Sequence, residues 1–217
     1  MLTLSEIAQH PEVLTYRLDT RDGTKTVFRP LVPADAEGLA SFLAGLSPTS
    51  RRFSTFDGYG GEAARELCDA IARYDKLRFV LEDVRSARIV GLLELSLALT
   101  PGDIARYRAA GVALDERTDC RFGPTLADDH QGRGVGTLAF PLVVAAVRRL
   151  GRSRVILWGG VLADNARALR YYEKNGFRRF GSFVGADGSR SLDMMADLRE
   201  LPDPVPASSP DRAMPSA

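Results

Sequence analysis

Seven consecutive residues, Gln131-Gly132-Arg133-Gly134-Val135-Gly136-Thr137, could hold a ligand with backbone alone. Glycines at alternate positions let the chain approach a ligand closely, because no Cβ intervenes. An unusually apolar, helix-like stretch follows, Thr137–Leu150. The first N–H groups of a helix have no partners inside it. Those donors and the helix dipole favour an anion, and a diphosphate is the natural guest. The run is not a P-loop, since no Gly-Lys-Ser/Thr follows. Its glycines are spaced G-x-G-x-G, not as in the dinucleotide fingerprint, and no acidic residue closes a strand near Val161. The competing reading is a tight glycine turn between a strand and a helix.

Other residues could add chemistry. Ala163–Phe177 opens on Asp164-Asn165, suited to capping a helix, and closes on Asn175-Gly176. Asn165 and Tyr172 are seven apart and so share a helix face, while Tyr171 is turned about 100° away and is read as packing. Glu94 interrupts the apolar strand Leu92-Leu93-Glu94-Leu95, facing either a polar cleft or solvent. His130 is either a base beside the glycine run or a surface turn residue, and Asp128 and Asp129 read as turn acceptors. Cys68 lies on the apolar side of a helix and reads as core. Two cysteines and two histidines, His10 and His130, lack metal-ligand spacing, so no metal site is expected.

These residues need elements to hold them. Thr26–Leu31 has strand character. Pro33-Ala34-Asp35 opens a helix whose Leu39, Phe42, Leu43 and Leu46 recur on one face. A second helix is expected near Glu62–Tyr74. Arg78–Val84 and Arg88–Leu99 form an antiparallel hairpin, and Cys120–Ala127 a further strand; Thr100–Thr118 is polar, with a short helix near Ile104–Ala110. Arg154–Val161 is a buried-type strand, Asp164–Asn175 a helix, and Phe177–Val184 with Arg190–Leu198 a closing strand pair. Such runs of neighbouring strands with helices between them predict an α+β fold. Its sheet is mixed but mostly antiparallel, with helices on both faces and one parallel pair late in the chain.

The 217 residues fit one domain with appendages: an extension over 1–25, a domain over 26–200 and a proline-rich disordered tail over 201–217. The formal charge of +1 argues against a dedicated nucleic-acid binder. The longest apolar run, Leu138–Val147, is far short of the roughly 20 residues that cross a membrane. With no secretory signal in the first residues, a cytoplasmic protein is expected.

The two motif segments together resemble the Gcn5-related N-acetyltransferase (GNAT) superfamily. Gln131, Gly134 and Gly136 match its Gln/Arg-x-x-Gly-x-Gly/Ala motif. Asn165, Ala168, Tyr172, Gly176 and Phe177 match its later Asn-x-x-Ala-x-x-x-Tyr-x-x-x-Gly-Phe. The likeness covers roughly Thr26–Leu198. It implies a V-shaped splay between Cys120–Ala127 and Arg154–Val161 that takes the pantetheine arm of acetyl-CoA, with backbone near Leu126 and Ala127 pairing to it. It implies the diphosphate on amides from Gly132 through Arg133, Gly134, Val135 and Gly136 to Thr137, Asn165 on the cofactor arm, and Tyr172 near the sulfur. Arg133, Arg167 or Arg170 could meet the adenosine phosphate.

The chemistry so implied is direct transfer of acetyl from acetyl-CoA to a primary amine of a small molecule or protein. The departing thiolate needs an acid, for which Tyr172 is the candidate, and the amine needs a base. Many members carry a Glu where this chain has Arg121, so Glu94, Asp119, Cys120, His130 or a water relay remain for that role, with Glu94 first. Pro124 fits a bulge or a splayed edge. The acceptor side is expected from Leu46–Gly61, Thr100–Thr118 and the last hairpin. The alternatives are a non-catalytic acyl-CoA-binding module and a nucleotide-binding protein; a homodimer is admitted on general grounds.

Overall fold

The computed structural model describes residues 1–20, 22–69, 71, 75–185 and 187–203. The expected tail beyond 203 and the end of the expected helix over 62–74 lie outside them. The chain builds one mixed sheet. In sequence order its strands are β1 (Tyr16–Asp19), β2 (Lys25–Pro30), β3 (Lys76–Asp83), β4 (Ile89–Ser96), β5 (Asp119–Leu126), β6 (Arg154–Leu157), β7 (Val161–Leu162), β8 (Arg178–Val184) and β9 (Arg190–Asp197). The spatial order is β1-β2-β3-β4-β5-β6-β9-β7, with β8 on the other side of β9. Among the described residues every pairing is antiparallel except β5 with β6. This is the α+β arrangement expected from the element order.

Strand alternation sorts side chains onto two faces. On one face Leu77, Phe79, Leu81, Leu93, Leu95, Cys120, Phe122, Val155 and Leu157 join a core with helices α1 (Leu4–Gln9), α6 (Val135–Arg149) and α7 (Ala166–Lys174). On the other, Val80, Ile89 and Leu92 meet α2 (Ala36–Gly45) and α4 (Gly61–Cys68), and Ile156 and Met195 meet α5 (Pro101–Ala109). A short helix, α3 (Pro48–Arg52), is capped by Ser47. Cys68 and Cys120 are both buried, and burial pushes their thiols up to about 11 and about 12.

The described residues of the extension, 1–20 and 22–25, pack into this fold. Ile7 and Leu14 are fully buried in the main core, and β1 pairs with β2. The extension's amphipathic start is α1, with Thr3 and Glu6 forming a reciprocal cap.

The late strand expected over Arg154–Val161 is two strands. Gly159 and Gly160 both have left-handed φ, +74° and +75°, which interrupts the extended chain between β6 and β7. The parallel pair therefore ends early: Phe122 lies opposite Leu157, and the last bond is Trp158 N–H to Phe122 C=O at 2.9 Å. Alternation aims the peptide groups of Phe122, Pro124 and Leu126 toward β6. Pro124's missing N–H therefore falls on the parted side, where no ladder bond is lost, while β5 keeps its register with β4 through Pro124 opposite Leu93.

Candidate active site

A cleft of about 900 Å³ runs from the glycine segment through the parted strands to the face carrying α2–α4. At one end the chain leaves β5, makes a short turn at Asp128–His130 and enters α6 through the glycine segment. Gly132 and Gly134 have φ of +78° and +84°, so the alternate glycines are needed for conformation as well as space. A Cβ on either would meet nothing within 4 Å. Gly136 is different: its φ is ordinary, but a Cβ would press on the Tyr171 ring at 3.3 Å and on Leu126 at 3.5 Å.

Helix α6 starts at Val135 with Gly134 as its cap and no side-chain capping bond. Its first internal bond is Leu138 N–H to Gly134 C=O at 3.0 Å. The N–H groups of Val135, Gly136 and Thr137 precede that bond and have no partner within the helix. Gln131, Gly132, Gly134, Val135, Gly136 and Thr137 all line the cleft. Arg133 does not; its side chain turns out toward Asp22, 3.8 Å away.

The parted strands supply the middle. Gly123, Pro124, Thr125 and Leu126 line the cleft from β5, and Trp158–Leu162 from the other side. The Leu126 carbonyl accepts from Gln131 Nε2 at 3.0 Å. Ala127 is not a lining residue, and its N–H is engaged by Val90 C=O at 2.8 Å. Gln131 Nε2 also donates to Ser50 Oγ at 3.0 Å, and its Oε1 accepts from Arg167. Asp128, expected to serve its own turn, instead holds α3: it accepts from Ser47 N–H at 3.0 Å and from the Ser47 and Ser50 hydroxyls at 2.7 Å.

Asn165 stands as the cap of α7, not within it; its Oδ1 accepts from Ala168 N–H at 3.1 Å. It still lines the cleft with Tyr172, Arg167 and Arg170. Tyr172 is 7% exposed, its ring edge-on to Tyr171 at 5.2 Å and Phe177 at 5.1 Å. Its hydroxyl opens on the cleft without a hydrogen bond among the described residues, and burial holds the phenol well above its ordinary pKa. Tyr171, expected only to pack, also reaches the cleft wall and donates to Gly136 C=O at a long 3.4 Å.

Glu94 enters from the opposite face of the sheet. It is 5% exposed, lines the cleft floor and pairs with Arg78, Nε to Oε1 at 2.8 Å. Burial raises its carboxyl above the usual range, and Arg78, then Lys76 and Arg121, oppose that rise. The other base candidates are committed elsewhere. Asp119 is fully buried and forked by Arg154 at 2.7 and 2.6 Å. Cys120 is shut in the core. Arg121 donates to Ala98 C=O at 2.9 Å and lies over the Trp158 ring at 4.5 Å. His130 is buried, not a surface residue: it lines the cleft and bonds Asp129 through Nδ1 at 2.8 Å.

The wall beyond Glu94 comes from Ser47–Thr55, with Asp187 and Ser191 from the last hairpin. Residues 100–118, expected on the acceptor side, do not line the cleft; Tyr107 anchors α5 to Met194 C=O at 2.7 Å, over β6 and β9. Trp158, to which the motifs give no role, lines the cleft floor with Glu94. A lone tryptophan directly before Gly159-Gly160 was the available signal. Among the described residues no group of His, Cys, Asp and Glu could hold a metal ion, and no helix is long and apolar enough to cross a membrane.

The sheet is thus open beyond its parallel pair, with a helix start that no side chain caps at the opening. The family model of the GNAT acetyltransferase domain matches residues 25–178, and the chain belongs to that family. It is 31% identical over 130 residues to Acetyltransferase PA5475 of Pseudomonas aeruginosa, a match spanning 60% of this chain and 63% of that relative. The GNAT domain of S. lividans PAT superposes with a TM-score of 0.65 at 21% identity, over 86% of this chain and 98% of that one. Spermidine N-acetyltransferase from Vibrio cholerae, solved with CoA and spermine, gives 0.60 at 19% identity, over 81% and 96%.

Proposed function

We propose that this chain is an N-acetyltransferase that moves acetyl from acetyl-CoA directly to a primary amine. The observation that carries the reading is the gap in the sheet beyond Phe122 and Trp158, flanked by the uncapped start of α6. Open space over Gly132 and Gly134, where a Cβ would meet nothing, fits a diphosphate held by backbone donors. The Leu126 peptide group faces the gap and suits an amide of the pantetheine arm; the Gln131 amide that now holds its carbonyl would yield to that arm. Acetyl-CoA supplies the activated acyl group. Its relative from Vibrio cholerae was solved with CoA, which supports this donor.

The chain's own part is to hold the two ends of a proton path. Tyr172, from the α6–α7 face, keeps its proton and offers it where a leaving thiolate would form. Glu94, from the other face, offers a carboxylate oxygen to the acceptor amine, which must be neutral to attack. No covalent nucleophile is needed, and both cysteines are buried with raised pKa values. The acceptor lies against Ser47–Thr55 and Trp158.

The test is calorimetric binding of CoA followed by thiol release from acetyl-CoA across a panel of amines. Micromolar binding with amine-dependent thiol release supports the reading. Binding without turnover on any amine would favour the non-catalytic acyl-CoA-binding alternative. Binding of ATP or NAD in place of CoA would overturn both.

A further inference from the structure

Glu94 is placed where a carboxylate is hard to keep. It sits mid-strand in β4, between Leu93 and Leu95 in sequence and near Leu92 on its own face, and is 5% exposed. Burial favours the neutral carboxyl, and a neutral carboxyl cannot take a proton from an ammonium group. The residue directly across on β3 is Arg78, also 5% exposed.

The contact between them is one-sided. An arginine facing a carboxylate squarely binds both oxygens through two parallel bonds. Here only Nε reaches Oε1, at 2.8 Å, while Nη1 turns away to the Leu67 carbonyl at the end of α4, 3.3 Å distant. Oε2 has no hydrogen bond among the described residues and opens on the cleft. The other charged groups facing this spot are Lys76 from β3 and Arg121 from β5. Both lie over the Trp158 ring, at 5.3 and 4.5 Å. Asp103 of α5 approaches Arg121 at 3.8 Å, and Glu66 of α4 acts on Lys76.

We infer that Arg78 is a positioning residue: through this one-sided pair it holds Glu94 as a carboxylate in the cleft floor and leaves Oε2 as the oxygen that meets the acceptor amine. The inference rests on the reading of Glu94 as the base. The Leu67 carbonyl anchors the far side of the same guanidinium through Nη1, while Nη2, the partner of Nε in a side-on fork, makes no bond to Oε2 among the described residues.

The experiment is a ¹³C NMR titration of the Glu94 side-chain carboxyl in the full chain, with the resonance assigned by its loss in Glu94→Gln. In Arg78→Met and Arg78→Gln the titration midpoint rises by at least about one pH unit, a tenfold gain in proton affinity. In Arg78→Lys it stays within about half a unit of the wild type, because the charge is kept. The low-pH limb of kcat moves with the midpoint, and calorimetric affinity for CoA does not change. A midpoint that stays put in Arg78→Gln overturns the role of Arg78 and leaves the base reading standing. Full turnover in Glu94→Gln overturns the base reading itself. Should Arg78→Met fail to fold, Arg78→Gln, which keeps an amide donor, carries the same test.

Discussion

Replacing Tyr172 by Phe removes one oxygen and keeps the ring. The ring is what the fold uses: it is packed edge-on against Tyr171 and Phe177, in a residue 7% exposed. The hydroxyl has no hydrogen-bond partner among the described residues, so its loss leaves none orphaned, and stability should change by less than about 0.5 kcal/mol. Any larger effect must come from chemistry. Burial keeps the phenol protonated throughout the neutral range, ready to donate to a thiolate as it leaves. A hydrogen bond to a charged partner is worth about 1.5–3 kcal/mol. That converts to a fall in kcat of about 10- to 150-fold. The assay is steady-state thiol release, with KM for acetyl-CoA measured alongside and expected within about twofold of wild type. An acyl donor with a more acidic leaving thiol should lose less, since it needs less help. Tyr171→Phe is the control: its hydroxyl bond to Gly136 is long, at 3.4 Å, and kcat should hold within about twofold. Full kcat in Tyr172→Phe would make Tyr172 a packing residue and assign the proton to solvent.

Gly134→Val should weaken CoA at least tenfold by calorimetry while the protein stays folded. The left-handed φ of +84° costs a valine about 1–2 kcal/mol, and its side chain would project into open space at the diphosphate site; wild-type affinity would refute the assignment. Gly136→Asp is less informative, because a Cβ there already presses on Tyr171. Glu94→Gln should lower kcat/KM by about 10²–10⁴-fold and abolish the low-pH limb. In the wild type that limb should lie above the carboxyl's ordinary 4.5, because burial raises the pKa and the carboxylate is lost to protonation as the pH falls through it; a limb at or under 4.5 would count against Glu94. Asp119→Ala should cost about 3–5 kcal/mol by leaving Arg154 without its buried partner. A fall in Tm of about 10 °C with unchanged CoA affinity would separate Asp119 from the chemistry, and unchanged Tm would refute the account.

What could be read in the chain was what the chain decides locally. Gly132 and Gly134 are where left-handed φ is needed, Asn165 is a cap, and alternation in β3–β6 sorts the core. Commitments between distant side chains were not legible. Asp119 was open as a base until Arg154, 35 residues on, forked it. The resemblance offers Arg133, Arg167 or Arg170 to a phosphate, and only distant contacts sort them: Arg133 faces Asp22, while Arg167 and Arg170 line the cleft. The case of Arg78 is the most instructive. Glu82 pairs with Ile89 beside the turn, and counting back from there would set Arg78 against Leu93. A bulge between Leu81 and Glu82 shifts the register by one, so Arg78 meets Glu94. A one-residue slip reverses every side chain's face, and nothing in the hydrophobic pattern marks that bulge.

The same parity explains why the site lies where it does. Tyr172 belongs to the face with α6 and α7, and Glu94 to the face with α2 and α4. In a continuous sheet the strands would separate them. They can serve one transfer only where the sheet is open, so the features that part β5 from β6 matter as much as the reacting groups. Pro124 removes a donor on the open side without costing a bond to β4. Gly159 and Gly160 turn the partner strand aside, and Gly160 is fixed there, because a Cβ would strike Phe183 at 2.9 Å and the Leu192 carbonyl at 3.0 Å. Gly123 has Trp158 at 3.3 Å from where its Cβ would be, so a larger residue would push the indole away from Glu94 and Arg121. These residues carry no chemistry of their own, yet the proposed proton path from one face to the other depends on the gap they keep.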